Sequence, residues 1–318
     1  MTMREKRQLI NHGEYIDRRQ FLTTSTMALT GASLINPSLA FGKGAKNISE
    51  FRGIELAIAT ICCDGFANKH HGPSFDLLPL TKFKNVEFNL WYPDTITPKY
   101  IASIKNRCDR TGLIPISLQG SGFGGEGNNG IIKDLSHKLS LMHHCEQLGC
   151  RRVKFTGSRR GTQGGLDSII TVLKELAPAA EDMGILILLE NHANNVLERI
   201  GDYETIFDQI DSPNVGLCLD TGHFEGVDIS LNDVLEKFHS RTLHVDLKDC
   251  RKRGAGHDTV VFGQGVTDFD RFLKQLVAYG YSGYLVIEQA WREPKKPLLQ
   301  NLRAAYDQFQ TYETYPAH

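Results

Sequence analysis

No charge of one sign dominates this chain: 36 lysines and arginines face 37 aspartates and glutamates in 318 residues. Without a basic excess there is no electrostatic footprint for nucleic acid. No apolar stretch is long enough for a transmembrane helix in the mature chain. The seven cysteines include no CxxC pair; adjacent Cys62 and Cys63 cannot readily bridge each other, and an odd count is not a complete disulfide framework. Cys218, inside a strand-like run, reads as a small buried hydrophobe, and no cysteine metal site is expected. No GxGxxG follows the first strand-like run, which removes the main support for a doubly wound dinucleotide-binding sheet. The glycine-rich segment GSGFGGEGNNG (120–130) lacks the Lys-Ser/Thr ending of a phosphate loop and reads as a mobile lid.

The N-terminus reads as an address. Asp17-Arg18-Arg19-Gln20-Phe21-Leu22 precedes the mildly apolar TTSTMALTGASLI and Pro37-Ser38-Leu39-Ala40. Paired arginines, a weakly hydrophobic core and small residues before a cleavage point after Ala40 resemble a twin-arginine export signal. Asp17 departs from the Ser or Thr usual before the pair. Residues 1–40 would then be the signal and 41–318 the mature domain, exported folded by the twin-arginine translocon to the periplasm without a stable membrane anchor.

From Ile54 onward, apolar runs alternate with helix-like segments. The runs are 54–61, 85–92, 113–119, 151–157, 184–190, 214–220, 241–247 and 283–289. Between them, segments such as LDSIITVLKELAPAAEDMG and DFDRFLKQLVAYG place apolar residues three and four apart, the helical period. Gly112, Gly149, Gly184 and Gly280 stand where helices should stop. Eight β-α units over about 265 residues predict an α/β protein, a (β/α)8 TIM barrel.

Four of the runs end on an acid: Glu190 in GILILLE, Asp220 in NVGLCLD, Asp246 in RTLHVD and Glu288 in GYLVIE. Strand alternation puts Glu190 on one face with Leu188 and Leu186, and Glu288 with Val286 and Tyr284, so all four can point inward at the top of the barrel. Converging carboxylates repel unless a cation lies between them. An all-oxygen set suits one hard divalent ion: manganese or magnesium, with cobalt as a third choice. The competing view is that single acids bond backbone amides or pair with arginine or lysine.

Here the chain resembles the xylose isomerase-like barrels of sugar isomerases and epimerases. The carriers are LLLENH, CLDTGH, LHVDLKD, FGQGVTDFDRFLKQL and GYSGYLVIE, which span most of the mature chain. The resemblance implies metal ligands at Glu190, Asp220 and Glu288, with Glu190 and Glu288 doubling as the acid/base pair. It also implies a fourth ligand in a family pattern H-x-H-L-K-D. This chain has Asp246 at the ligand position and His244 one layer deeper, where a core histidine is the plainer reading. The replacement of His by Asp favours a hard cation, and it also leaves open a site that has lost its metal. The epimerases carry a further Glu six residues after the first ligand; here that position is Val196.

His223 in DTGH is expected just above the site, His192 along its wall, and Lys248, with the parity of Asp246, beside a substrate oxygen. Asp249 would brace the next loop. Arg253 could reach a substrate hydroxyl or anionic group, or be a solvated loop charge like Arg251; His257 is weaker. Trp91 could stack on a sugar face or cap the core. Glu87 is either a site acid or a structural acid paired with Lys154. These residues predict a metal-dependent isomerase or epimerase that takes a proton from a ketose or keto-sugar through an ene-diolate. The alternatives are a 3-keto-glycoside or inosose lyase on the same site, and a non-catalytic carbohydrate-binding barrel. The partner is a small carbohydrate, not nucleic acid; a homo-oligomer is compatible with the sequence.

Overall fold

A run of four to seven mostly apolar residues is too short for a helix of several turns but long enough to cross a barrel wall, and eight such runs form the wall here. In a computed structural model of the chain, residues 53–314 are described apart from 67–69, 125–126, 257 and 291–297. The twin-arginine-like segment and His257 therefore lie outside the described residues. The strands are β1 (Ile54–Ala59), β2 (Asn85–Leu90), β3 (Ile114–Gly120), β4 (Arg152–Phe155), β5 (Leu186–Glu190), β6 (Val215–Asp220) and β7 (Thr242–Leu247). A short antiparallel pair, β8 (Asp249–Cys250) and β9 (Thr259–Val260), precedes β10 (Gly283–Ile287). The order β1-β10-β7-β6-β5-β4-β3-β2 closes a parallel barrel, with helices in the connections. No helix among the described residues is long and apolar enough to cross a membrane.

The helices follow from their sequences. Phe269–Ala278 starts where the Asp268 side chain accepts a hydrogen bond from the Arg271 amide, and it buries Phe269, Phe272, Leu273 and Leu276 against the barrel. Each such side chain contributes about 1.5–3 kcal/mol when fully buried. The helices Pro98–Thr111 and Gly165–Met183 end at Gly112 and Gly184, both in the left-handed conformation that glycine adopts at least cost.

The two faces of the wall differ in chemistry. Outward side chains such as Ile58, Phe88, Leu118 and Ile187 join the helices in one large apolar core. Inward apolar side chains make only two small clusters, one around Ala57, Ala59, Ile116 and Val286 and the other around Leu186, Leu188 and Cys218. Glu87, Ser117, Gln119, Lys154, His244 and Asp246 are polar and buried. A barrel interior with this much buried charge is stable only if the charges answer one another.

Candidate active site

The upper ends of β5, β6 and β7 are stitched side chain to backbone. The Asn191 amide group donates to the Asp220 carbonyl at 2.9 Å and accepts from the Asp220 amide at 2.7 Å. The Thr221 hydroxyl donates to the Lys248 carbonyl at 2.7 Å and accepts from the Lys248 amide at 2.9 Å. Asp220 caps the short helix Thr221–Gly226, its Oδ1 accepting from the His223 amide at 2.8 Å. These bonds explain the ENH and DTGH sequences: one residue beyond each strand-end acid holds the neighbouring strand.

The four strand-end acids do converge. One oxygen each from Glu190, Asp220, Asp246 and Glu288 lie within 4.8 Å of one another, a cluster that could hold a metal ion. Positive charge is already among them. Lys154, midway along β4, places its Nζ 2.5 Å from Asp246 Oδ2, 2.6 Å from Glu87 Oε1, 3.0 Å from Glu288 Oε2 and 3.8 Å from Glu190 Oε2. Lys248 places its Nζ 2.7 Å from Asp220 Oδ2, 2.9 Å from Glu288 Oε1 and 3.1 Å from His223 Nε2. The oxygen donors suit a hard divalent ion in chemistry, but such an ion needs contacts of roughly 2.0–2.6 Å to the oxygens that Lys154 now holds. With the ammonium in that position, the residues as arranged here do not fit a bound divalent ion.

Burial alone would discharge Lys154, yet Asp246, Glu190, Glu288 and Glu87 hold its ammonium well above the ordinary lysine range. Burial opposes the charge of Lys248 in the same way, and Asp220 and Glu288 restore it. Among the acids the outcome is split. Burial pushes Glu190 up to about 8 against the pull of Lys154. Burial also raises Asp220, and raises Asp246 well above the usual carboxylate range. Glu288 goes the other way: burial disfavours its charge, but Lys154 and Lys248 outweigh it and hold the carboxyl well below normal. Glu87 is drawn down to about 2, burial being overcome by Lys154 and His244.

A cavity of about 320 Å³ opens onto this cluster, within the range of small-ligand sites. Glu190, Glu288, Lys248, His192 and His223 line its polar side. Trp91 and Phe66, stacked with ring centroids 6.1 Å apart, line an apolar side with Ile61 and Ala290. Asp220, Asp246 and Lys154 are buried and are not in its wall. A larger cavity, about 970 Å³, is lined by Arg159, Arg160, Glu198 and Arg199 among others and shares no lining residue with the first.

Of the residues expected at the site, Glu190, Glu288, Lys248, His192, His223 and Trp91 reach the cavity, and Asp220 and Asp246 lie beneath it. Arg253 is not brought there: it pairs with Asp228 at 3.0 Å and Glu225 at 3.4 Å. His244 lies one layer down, its Nε2 3.2 Å from Glu87 Oε2, and burial pulls the imidazole below the ordinary histidine range. Asp249 braces the next loop, accepting from the amides of Gly263, Gly265 and Thr267 at 3.0–3.2 Å. Cys218 groups closely with His244 and Asp246, but burial raises its thiol, which donates to Asp246 Oδ2 at 3.2 Å.

The expected lid is different in form. Residues 127–130 belong to the helix Gly127–Leu148, and Lys138 of that helix donates to the carbonyls of Ser121 and Gly122 at 3.2 and 3.0 Å. The segment after β3 is therefore held from beneath.

Three contributors were not read as site residues. Gln119 donates to Glu190 Oε2 at 2.7 Å, and Asn89 donates to Gln119. Lys154 was read only as a partner for Glu87. The signal was present: Asn89, Gln119 and Lys154 are polar positions in otherwise apolar runs.

The sequence profile described as xylose isomerase-like TIM barrel matches residues 76–309. An inosose dehydratase of Clostridium perfringens (strain 13 / Type A) is 29% identical over 131 residues, covering 36% of this chain and 44% of that protein. The chain thus aligns with less than half the length of this curated relative. Among solved structures, an IolI protein with a bound zinc atom superposes with a TM-score of 0.67 at 19% identity, covering 81% of this chain and 99% of the other. The 3-keto-D-glucoside 4-epimerase YcjR from E. coli superposes with a TM-score of 0.63 at 17% identity, covering 81% and 98%. At these identities the two structures establish the shared fold.

Proposed function

The chain belongs to the xylose isomerase-like TIM barrel family, and on that premise we propose that it moves a proton at the carbon beside the carbonyl of a keto-sugar or keto-polyol. One observation carries the reading. Glu190 and Glu288 face one cavity, have oxygens within 4.8 Å of each other, and are pushed to opposite protonation states. A pair of carboxyls separated in this way is a ready acid and base.

In the proposed cycle the ionised Glu288 takes the proton from carbon, and the electron pair of that C–H bond moves into an ene-diolate. Lys248, beside Glu288, turns its ammonium toward the new oxyanion, which weakens its hold on Glu288 and strengthens the base as the reaction proceeds. Glu190 then delivers its proton. Delivery to the opposite face of the same carbon gives an epimer; delivery to the neighbouring carbon, with the hydroxyl proton passing between the two oxygens, gives an isomer. Trp91 and Phe66 supply an apolar face for the ring.

The positive charge has two candidate sources. One is a hard divalent ion, manganese or magnesium and then cobalt, in the carboxylate cluster once Lys154 has withdrawn. The other is the pair of ammonium groups. The proton transfers assigned to Glu288 and Glu190 are the same with either.

A second reading is favoured by the curated relative, whose name is a dehydratase. In it Glu190 protonates a hydroxyl β to the carbonyl, and water leaves in place of carbon reprotonation. Turnover in D2O separates the two: an epimerase or isomerase returns sugar carrying solvent deuterium, and a dehydratase accumulates an unsaturated ketone. Glu288→Gln, which removes the base at constant shape, is expected to lower kcat about 10²–10⁴-fold. Unchanged turnover in that variant would end the assignment.

A further inference from the structure

We propose that Lys154 and Lys248 divide between them the work of a divalent ion, so that this enzyme binds no metal in its carboxylate cluster and turns over without one. The inference rests on the proton-transfer reading of the same site and goes beyond it by naming the cation. Lys154 does the structural part. Its ammonium lies 2.5–3.8 Å from oxygens of Glu87, Glu190, Asp246 and Glu288, acids contributed by four different strands or strand ends. It reaches that point from β4, which is adjacent to β5 and lies opposite β10 in the barrel, and its side chain is fully buried. Lys248 does the part that touches substrate: it lines the cavity, bonds Asp220 and Glu288, and has His223 on its third side.

Two details of the chain agree with this arrangement. Asp246 occupies the strand position that the family resemblance assigns to a histidine ligand; an aspartate can pair in charge with an ammonium, whereas a neutral imidazole can only accept a hydrogen bond from one. Glu87, on β2, has one oxygen on Lys154 and accepts on the other from Ser117 at 2.7 Å, so the lysine is anchored from below as well as from above. Lys154 is a positioning residue, and Lys248 is the catalytic one.

The test uses the full chain. Protein is dialysed against EDTA and then against manganese, and bound metal is counted by plasma mass spectrometry. We expect far less than one manganese per chain and no change in melting temperature with EDTA. Retention of about one manganese per chain would overturn the proposal. Lys154→Met keeps the unbranched shape of the side chain, one atom shorter, and removes its charge. If it folds, manganese affinity is expected to rise at least about tenfold over the wild type; a folded variant that binds no more manganese than the wild type would also count against the lysine. If the variant does not fold, the wild-type count decides alone. Deuterium uptake from D2O into inosose is followed in parallel. Uptake that requires added manganese overturns the inference and leaves the proton-transfer reading standing. A chain that binds no metal and gives neither deuterium uptake nor loss of water overturns that reading, while the count still supports the lysines as the resident cations.

Discussion

Glu190 keeps its proton at neutral pH because burial pushes the carboxyl up to about 8, with Lys154 pulling only partly against it. In the unfolded chain the same group titrates near 4.5. Between those values the folded protein binds a proton that the unfolded chain has lost. The stability contributed by this group is complete below about pH 4.5 and disappears as pH rises through about 8. Glu190→Gln keeps the shape and the hydrogen bond from Gln119 while removing the titration. Its melting temperature should fall less steeply than the wild type's from pH 5 to about pH 8; parallel slopes would show that Glu190 is not protonated in the fold. The variant can neither give nor take a proton, so turnover should drop about 10²–10⁴-fold. At this scale the sequence was only partly legible. Strand alternation said which way Glu190 and Glu288 point, because side chains two apart share a face. It did not say that a lysine from β4 meets them, because parity assigns a side chain to a face and not to a partner.

The elements that matter most are the three strand ends at β5, β6 and β7, which Asn191 and Thr221, each next to an acid, tie one to the next. Gly222 shows how closely they are packed: a Cβ there would lie 2.7 Å from Lys248 Cγ and 3.1 Å from its carbonyl oxygen. Gly222→Ala should therefore shift Lys248 and destabilise the fold by about 1–3 kcal/mol, as overpacking does. Kinetics should show kcat falling more than KM rises, since Lys248 acts on the oxyanion; a change confined to KM would argue that Lys248 only binds. The strand positions themselves were readable within a residue or two, since each apolar run is bounded by turn-forming residues and four of the eight are closed by an acid. The segment after β3 was not. Its glycines suggested mobility, and the contact that holds it, Lys138 under Ser121 and Gly122, comes from a helix whose start the glycines concealed. Arg253 was misdirected for a related reason: a loop arginine can reach many partners, and here it pairs with Glu225 and Asp228.

Across the whole molecule a nearly neutral sequence conceals a concentrated charge system. Of 36 basic and 37 acidic residues, two lysines and five acids meet at one end of the barrel. Parallel closure forces this meeting: β2, β4, β5, β6, β7 and β10 all deliver their inward or terminal side chains to the same mouth. The sequence indicated that the acids must share a cation, and the family resemblance pointed to a metal. In the folded chain the shared cation is an ammonium group belonging to the protein. The most direct check is an anomalous difference map from crystals grown in manganese. The account predicts no peak among Glu190, Asp220, Asp246 and Glu288, with Lys154 still bridging Glu87, Asp246 and Glu288. A manganese peak at those carboxylates, with the lysine turned aside, would contradict it.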